Sequence, residues 1–247
     1  MIFYGDYHTH TVYSDGMCTI EQNVAAAAEK GLKEVAITDH GFRNMFCLKR
    51  REVAKQKKEI EYCREKYPEI KILYGIEADL IGADGTVDLR AEEFKDFDIV
   101  IAGFHPVAMP YNARDFYRII LSTYFSVLFK PSKETVRRNT RTAIDMISRY
   151  KIDVYPHPNH SFCTDISEVA KACADRGAYM ELNDKHITDG VFEELYLSEA
   201  KLIAGSDAHR KEKVGDFGRI EALAKKHGAD LNRIENYKDP IKLREKI

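Results

Sequence analysis

The chain predicts a closed parallel α/β barrel, and three observations carry that reading. Short apolar runs alternate with longer amphipathic ones, as βα units do. Nearly every apolar run is followed by a histidine or a carboxylate. The alternation leaves room for about seven or eight strands. An open doubly wound sheet gathers its ligand at one switch point. Polar residues after nearly every strand instead require the strand ends to converge, as they do in a barrel.

The elements follow in order. Residues 2–7 read as a strand that ends at His8. Residues 19–30 read as a helix, with Thr19 as N-cap, Gln22 completing a capping box, and Gly31 closing it. Residues 34–38 form a strand followed by Asp39 and His40. Residues 48–66 form a long charged helix that stops at Tyr67-Pro68. Residues 71–77 form a strand that delivers Glu77, and Asp84-Gly85 marks a turn. Residues 97–102 lead to His105. Residues 133–150 are a helix capped by Ser132, and residues 153–155 a short strand ending at His157. A helix over 166–176 is closed by Gly177. Strands over 178–182 and 202–204 flank a weak helix over 193–199, and a helix over 219–227 follows Asp207 and His209. No internal repeat or linker interrupts the series, so residues 1–247 read as one domain.

Composition narrows the class. The 247 residues are 44% hydrophobic, enough for a sizeable core. With 38 basic and 40 acidic side chains the net charge is −2, so there is no general attraction to nucleic acid or to a membrane surface. The five cysteines form no C-x-x-C pair, which favours a reduced compartment over a disulfide framework. The N-terminus lacks the basic and apolar regions of a signal peptide, and the stretch 116–129 is too short and polar to span a bilayer. A cytoplasmic protein without a membrane partner is the expectation.

The motifs have plain readings as well as functional ones. In His8-Thr9-His10 the strand alternation turns both imidazoles to one face, where they can share a cation; two polar residues on an edge strand are the plain alternative. Asp15 lies in a Ser-Asp-Gly turn, where turn chemistry alone would explain it. Asp39 and His40 fit either a cap or a site, with Asp39 as a candidate to orient His40. Glu77 follows an apolar strand, where an uncompensated carboxylate is costly; a metal or a buried ion pair would explain it. His105 and His157 adjoin prolines and, taken singly, read as turn residues. Asp207-Ala208-His209 repeats the i, i+2 spacing in a Gly-Ser-Asp-Ala-His context. His160 and His186 stay open, and His227 reads as a surface residue. Arg43 and Arg210 follow the His40 and His209 motifs and are the candidate phosphate-binding cations; a solvated surface arginine is the plain reading of each.

Taken in order and spacing, these stretches resemble the PHP (polymerase and histidinol phosphatase) family. The resemblance covers nearly the whole chain and rests on 6–16, 36–41, 75–80 with the following Asp-Gly, 98–105, His157-Pro158 and 205–209. It implies a distorted (β/α)7 TIM-like barrel with a trinuclear centre at the strand C-termini, holding up to three divalent ions of zinc, manganese or iron. Carried over by residue, His8, His10, Glu77 and Asp207 would hold one ion. Glu77, bridging, would hold a second with His105 and His157, and Asp15, His40 and His209 a third. Aspartate at position 15, where some relatives have histidine, makes the third site harder and favours manganese or iron. Residues 109–131 read as an insertion, a candidate lid or dimer surface.

The resemblance implies a metal-dependent phosphoesterase, with Glu77, Asp207 and His209 at the catalytic centre and a metal-bound hydroxide attacking a small phosphorylated substrate. Histidinol phosphate is one candidate, although the arginines of that branch do not align here. A nuclease or phosphodiesterase is the second reading, motivated by the basic stretches 49–58 and 130–141 and opposed by the overall acidity. A metal-binding domain without turnover is the third, and the intact ligand set argues against it. Substrate, native metal and oligomeric state are not legible.

Overall fold

The structure is a computed structural model that describes residues 3–121 and 131–243. The first residue of the expected opening strand, and residues 122–130 of the 109–131 insertion with its lid or dimer role, lie outside the described residues.

Seven parallel strands form one sheet in sequence order. They are β1 (Gly5–Asp6), β2 (Glu34–Ile37), β3 (Lys71–Asp79), β4 (Ile99–Gly103), β5 (Val154–Tyr155), β6 (Tyr179–Asn183) and β7 (Lys201–Gly205). A parallel bridge between Thr9 and Ala208 joins the extensions of β1 and β7, so the sheet curls into a nearly closed barrel. This is the closed parallel barrel expected from the strand ends, in the distorted seven-stranded form that the resemblance implied. The helices outside it are α1 (Ile20–Glu29), α2 (Val53–Lys66), α3 (Lys133–Arg149), α4 (Ile166–Arg176), α5 (Asp189–Leu197) and α6 (Gly218–His227). No described helix is long and apolar enough to cross a membrane.

Strand alternation divides the core in two. Tyr7, Ala36, Leu73, Ile101, Val154, Tyr179 and Ile203 fill the barrel interior, with Ile241 packed among them. The intervening residues, such as Val35, Ile72, Val100, Met180 and Leu202, belong to a second cluster with Val24, Ile60, Met146, Val169 and Phe192 from the helices. Leu73, Gly75, Glu77 and Asp79 therefore share one face of β3, and that face changes from apolar to acidic along the strand.

Local signals explain most boundaries. Thr19 and Gln22 form the capping box of α1, Ser132 accepts from the Thr135 N–H at the start of α3, and Gly177 ends α4 in the left-handed region. Three boundaries differ from the sequence reading by more than two residues. β1 forms a regular ladder only at Gly5–Asp6; beyond it threonine hydroxyls enter the pairing with β2, Thr9 N–H donating to Thr38 Oγ1 (3.0 Å), the Thr9 hydroxyl to the Ala36 carbonyl (2.7 Å) and Thr38 N–H to the Thr9 carbonyl (2.9 Å). The helix expected over 48–66 opens with a 3₁₀ turn at Arg50–Glu52, where no side chain caps the backbone. α5 begins at Asp189, four residues before the expected 193, because Thr188 caps it.

The Asp84-Gly85 turn packs against α3. Gly85 has φ +82°, and a Cβ there would collide with the Met146 amide. Gly85→Ala is expected to lower stability by roughly 1–3 kcal/mol, and Thr19→Ala by about 1 kcal/mol. Urea unfolding of the two variants checks the order; a Gly85→Ala protein as stable as the parent would show that this turn is not held as described.

Candidate metal centre

Glu77 is at the middle of the site. It lies near the C-terminal end of β3, 1% exposed, and its backbone is gripped by the extension of β2: Glu77 N–H donates to the Asp39 carbonyl and Gly41 N–H to the Glu77 carbonyl. Five imidazoles face its carboxylate. Oε2 lies 3.2 Å from His8 Nε2, 3.3 Å from His10 Nε2 and 3.1 Å from His40 Nδ1. Oε1 lies 3.2 Å from His105 Nε2 and 3.0 Å from His157 Nε2. The strand-end histidines thus converge from four loops on one carboxylate.

Two further carboxylates flank this core. Asp207 Oδ1 lies 3.5 Å from His10 Nε2 and 3.3 Å from His209 Nδ1. Asp15 Oδ2 lies 3.1 Å from His209 Nε2, and Asp15 Oδ1 3.6 Å from His40 Nε2. The donor atoms form three groups, each spanning no more than 4.8 Å: His8, His10 and Asp207; His40, Glu77 and His105; and His10, Asp15, His40 and His209. Every ligand position carried over from the family thus lies in one cluster. The grouping differs in detail, since His40 lies as near Glu77 as Asp15. His157 enters through Glu77 and through His105, whose Nε2 is 3.1 Å from its own.

The donor set fits divalent cations on an independent ground. His8 Nε2, His10 Nε2, His40 Nδ1, Asp15 Oδ1 and Glu77 Oε2 are buried and have no hydrogen-bond partner among the described residues. Buried polar atoms are normally satisfied, and these five point at one another. Imidazole and carboxylate together suit zinc, manganese and iron.

Protonation follows the same geometry. Burial opposes ionisation of Glu77, but His8, His105 and His40 outweigh it and hold the carboxyl well below its usual range. Burial likewise opposes charge on His8, yet Glu181 and Glu77 raise it well above an ordinary histidine. His105 is raised to about 9 because Glu77 and Asp79 overcome its burial. His10 goes the other way: burial, with His40 beside it, lowers it to about 3.

Residues behind the ligands fix their orientation, and the sequence reading did not single them out. Glu181, inside β6, receives His8 Nδ1 at 2.7 Å and the His157 N–H at 2.9 Å. Asp79, two residues beyond Glu77, receives His105 Nδ1 at 2.7 Å. Such partners set the tautomer that presents Nε2. Their signal was present: carboxylates inside apolar strands at period two. Asp39 does not touch His40. It accepts from Thr11 N–H and Oγ1, Ser14 Oγ and Gln56 Nε2, and so ties down the loop carrying His10 and Asp15. His157 (φ 28°) and Asp207 (φ 51°) adopt the left-handed region that non-glycine residues avoid, at about 1–3 kcal/mol each.

A cavity of about 280 Å³ lies over the cluster, walled by Phe46, Val107, His160, Lys185 and His186. His186 Nε2 reaches Asp207 Oδ2 at 3.4 Å and its ring stacks on His160 with centroids 3.6 Å apart. Lys185 Nζ lies 3.3 Å from Asp207 Oδ1. The two candidate arginines diverge. The Arg43 guanidinium donates to the Met109 and Pro110 carbonyls and covers the Tyr111 ring, outside this cavity. Arg210 lines a neighbouring cavity that shares Lys185, Asp207 and His209 with the first.

Comparison with known proteins gives the chain its family. The PHP domain family model matches residues 6–185. The chain belongs to the PHP domain family. It is 28% identical to a protein of Shewanella halifaxensis named "Probable phosphatase", over 94% of this chain and 87% of that one. It is 30% identical to a Shewanella baltica protein of the same name, over 88% and 80%. The fold resembles the histidinol phosphate phosphatase of Lactococcus lactis, solved with zinc, L-histidinol and phosphate (TM-score 0.63, 20% identity, 93% of this chain and 95% of that one). This PHP protein is a metal-dependent hydrolase.

The raised histidines make metal uptake pH-dependent. In the metal-free protein His8, His40 and His105 hold protons at neutral pH, and ligation requires neutral imidazole. Raising the pH toward about 9 removes the competing proton from His105, and the raised His8 and His40 act in the same direction, so affinity should increase as the pH rises from neutrality, with proton release on binding. Manganese titrations by calorimetry, in buffers of different ionisation enthalpy, measure both. A constant affinity and a buffer-independent heat would refute this protonation scheme.

Proposed function

We propose that this PHP-domain protein hydrolyses phosphate monoesters of a small metabolite, using up to three divalent ions held by His8, His10, Asp15, His40, Glu77, His105, His157, Asp207 and His209. The observation that carries the reading is Glu77, whose one buried carboxylate faces five imidazoles at the floor of a cavity. When bound, such ions acidify water near neutral pH and neutralise phosphate oxygens. The phosphatase names of the relatives support the choice of ester.

The chain's own part is positional and electrostatic. Glu77, Asp207 and His209 each contribute a ligand to a different one of the three groups, which His10 and His40 join to one another. Glu181 and Asp79 keep His8 and His105 in the orientation that presents Nε2, so little rearrangement is needed on binding. The Lys185 ammonium stands at the edge of the cavity, where it can face a phosphate oxygen. Phe46 and Val107 form an apolar part of the cavity wall.

Hydrolysis of an aryl phosphate monoester and of the matching diester, by manganese- or zinc-loaded protein with a chelator control, tests the reading. Chelator-sensitive monoester turnover is expected, with the diester much slower. His8→Ala and Asp207→Ala should each lower kcat/KM by more than about 100-fold while the circular dichroism spectrum stays that of the folded chain. Full turnover in both variants would sink the assigned centre, and preference for the diester would favour a nuclease or phosphodiesterase.

A further inference from the structure

The second cavity is the larger one, about 620 Å³, and opens between the loops after β6 and β7 and the start of α6. It meets the metal cavity along Lys185, Asp207 and His209, so a phosphate on the metal side would have the rest of its molecule within reach of it. Its wall carries four cations, Lys185, Arg210, Lys213 and Arg219.

The carboxylates beside these cations are already committed. Asp184 Oδ1 accepts the backbone N–H groups of Arg219 (2.8 Å) and Ile220 (2.9 Å), which caps α6. Asp216 pairs with Lys213 at 2.8 Å, and Asp207 belongs to the metal cluster. The two arginine heads are left without a carboxylate among the described residues. Arg219 makes one long contact, 3.5 Å to the Lys185 carbonyl, and Arg210 makes no side-chain hydrogen bond among the described residues. Two guanidinium groups facing one concave space beside a cation centre form a receptor for an anion, because arginine binds carboxylate and phosphate through paired N–H groups.

We propose that the alcohol part of the substrate occupies this cavity and carries an anionic group of its own, a carboxylate or a second phosphate, bound by Arg210 and Arg219. The inference rests on the phosphomonoesterase reading and narrows it. The ester bond lies over the metal cluster beside Lys185, and the second anion lies toward α6. A leaving group without charge leaves both arginines unmatched and binds less well.

The test compares phenyl phosphate, 4-carboxyphenyl phosphate and 1,4-phenylene bisphosphate, in the wild type and in an Arg210→Ala/Arg219→Ala double variant. In the wild type, kcat/KM is expected to favour one of the doubly anionic esters at least about tenfold, and which one wins identifies carboxylate or phosphate as the second group. In the double variant that ratio should fall about tenfold, toward the value that leaving-group acidity alone sets. Because the ratio is taken within each protein, differences in leaving-group acidity cancel between proteins. Arg219→Glu should reverse the preference, which covers the case of a poorly folded double variant. Calorimetry with benzylphosphonate and 4-(phosphonomethyl)benzoate gives a readout independent of turnover: the carboxylated probe should bind tighter, and lose that advantage in the variants. Equal ratios and equal affinities in wild type and variants would overturn the anion pocket and leave the phosphatase reading standing. Absence of turnover on every ester, with the binding preference intact, would overturn the phosphatase reading and leave the pocket.

Discussion

The site depends on one constraint: a carboxylate buried at Glu77 must be matched, and the fold matches it with imidazoles from four separate loops. A lone ionised carboxylate in an apolar barrel would be prohibitively expensive. Here each oxygen has histidine nitrogens 3.0–3.3 Å away. The strands that carry these residues have little freedom, because β3 pairs with β2 over its first half and with β4 over its second, and Asp39 and Gly41 on the β2 extension bond both the N–H and the carbonyl of Glu77. The position of the cluster is thus a consequence of barrel closure, and its chemistry a consequence of which residues end the strands.

Much of this was legible in the chain because it is written in local signals. The capping box at Thr19, the αL glycine at 177 and the Asp-Gly turn at 84–85 each act over a few residues, and each appears as read. The strand-end histidines were legible because they follow apolar runs, and the structure draws them into one cluster. Glu181, Asp79 and Lys185 were harder to find. Their roles depend on which strand lies next to which: Glu181 meets His8 only because β6 and the extension of β1 come together near the closure of the barrel, 173 positions apart in sequence. Asp39 was open between orienting His40 and a structural part, and its neighbours across the barrel decide for the second. Adjacent in sequence to His40, it faces the other way, toward Thr11 and Ser14. Arg43 is drawn off by carbonyls of the 109–110 stretch that sequence spacing could not place.

The arrangement also explains where the structure tolerates strain. His157 and Asp207 hold backbone conformations that cost energy, and both point into the cluster. Gly205 has no side chain where one would collide with the Glu181 carboxylate, so β7 passes close to the group that orients His8. These features share one purpose, a rigid set of donor atoms whose mutual repulsion or protonation is relieved by cations. Specificity is separate from it. On the proposed reading it lies in the loops after β6 and β7, whose charged side chains line the neighbouring cavity.

The most direct test of the account is the metal content of the protein with and without Glu77. Wild type and Glu77→Ala, both loaded with manganese and dialysed, would be compared by inductively coupled plasma mass spectrometry. The account predicts that the wild type retains more metal, up to one ion for each of the three ligand groups, and that the variant loses most of it while remaining folded. Equal retention in a folded Glu77→Ala protein would contradict the claim that this carboxylate organises the centre.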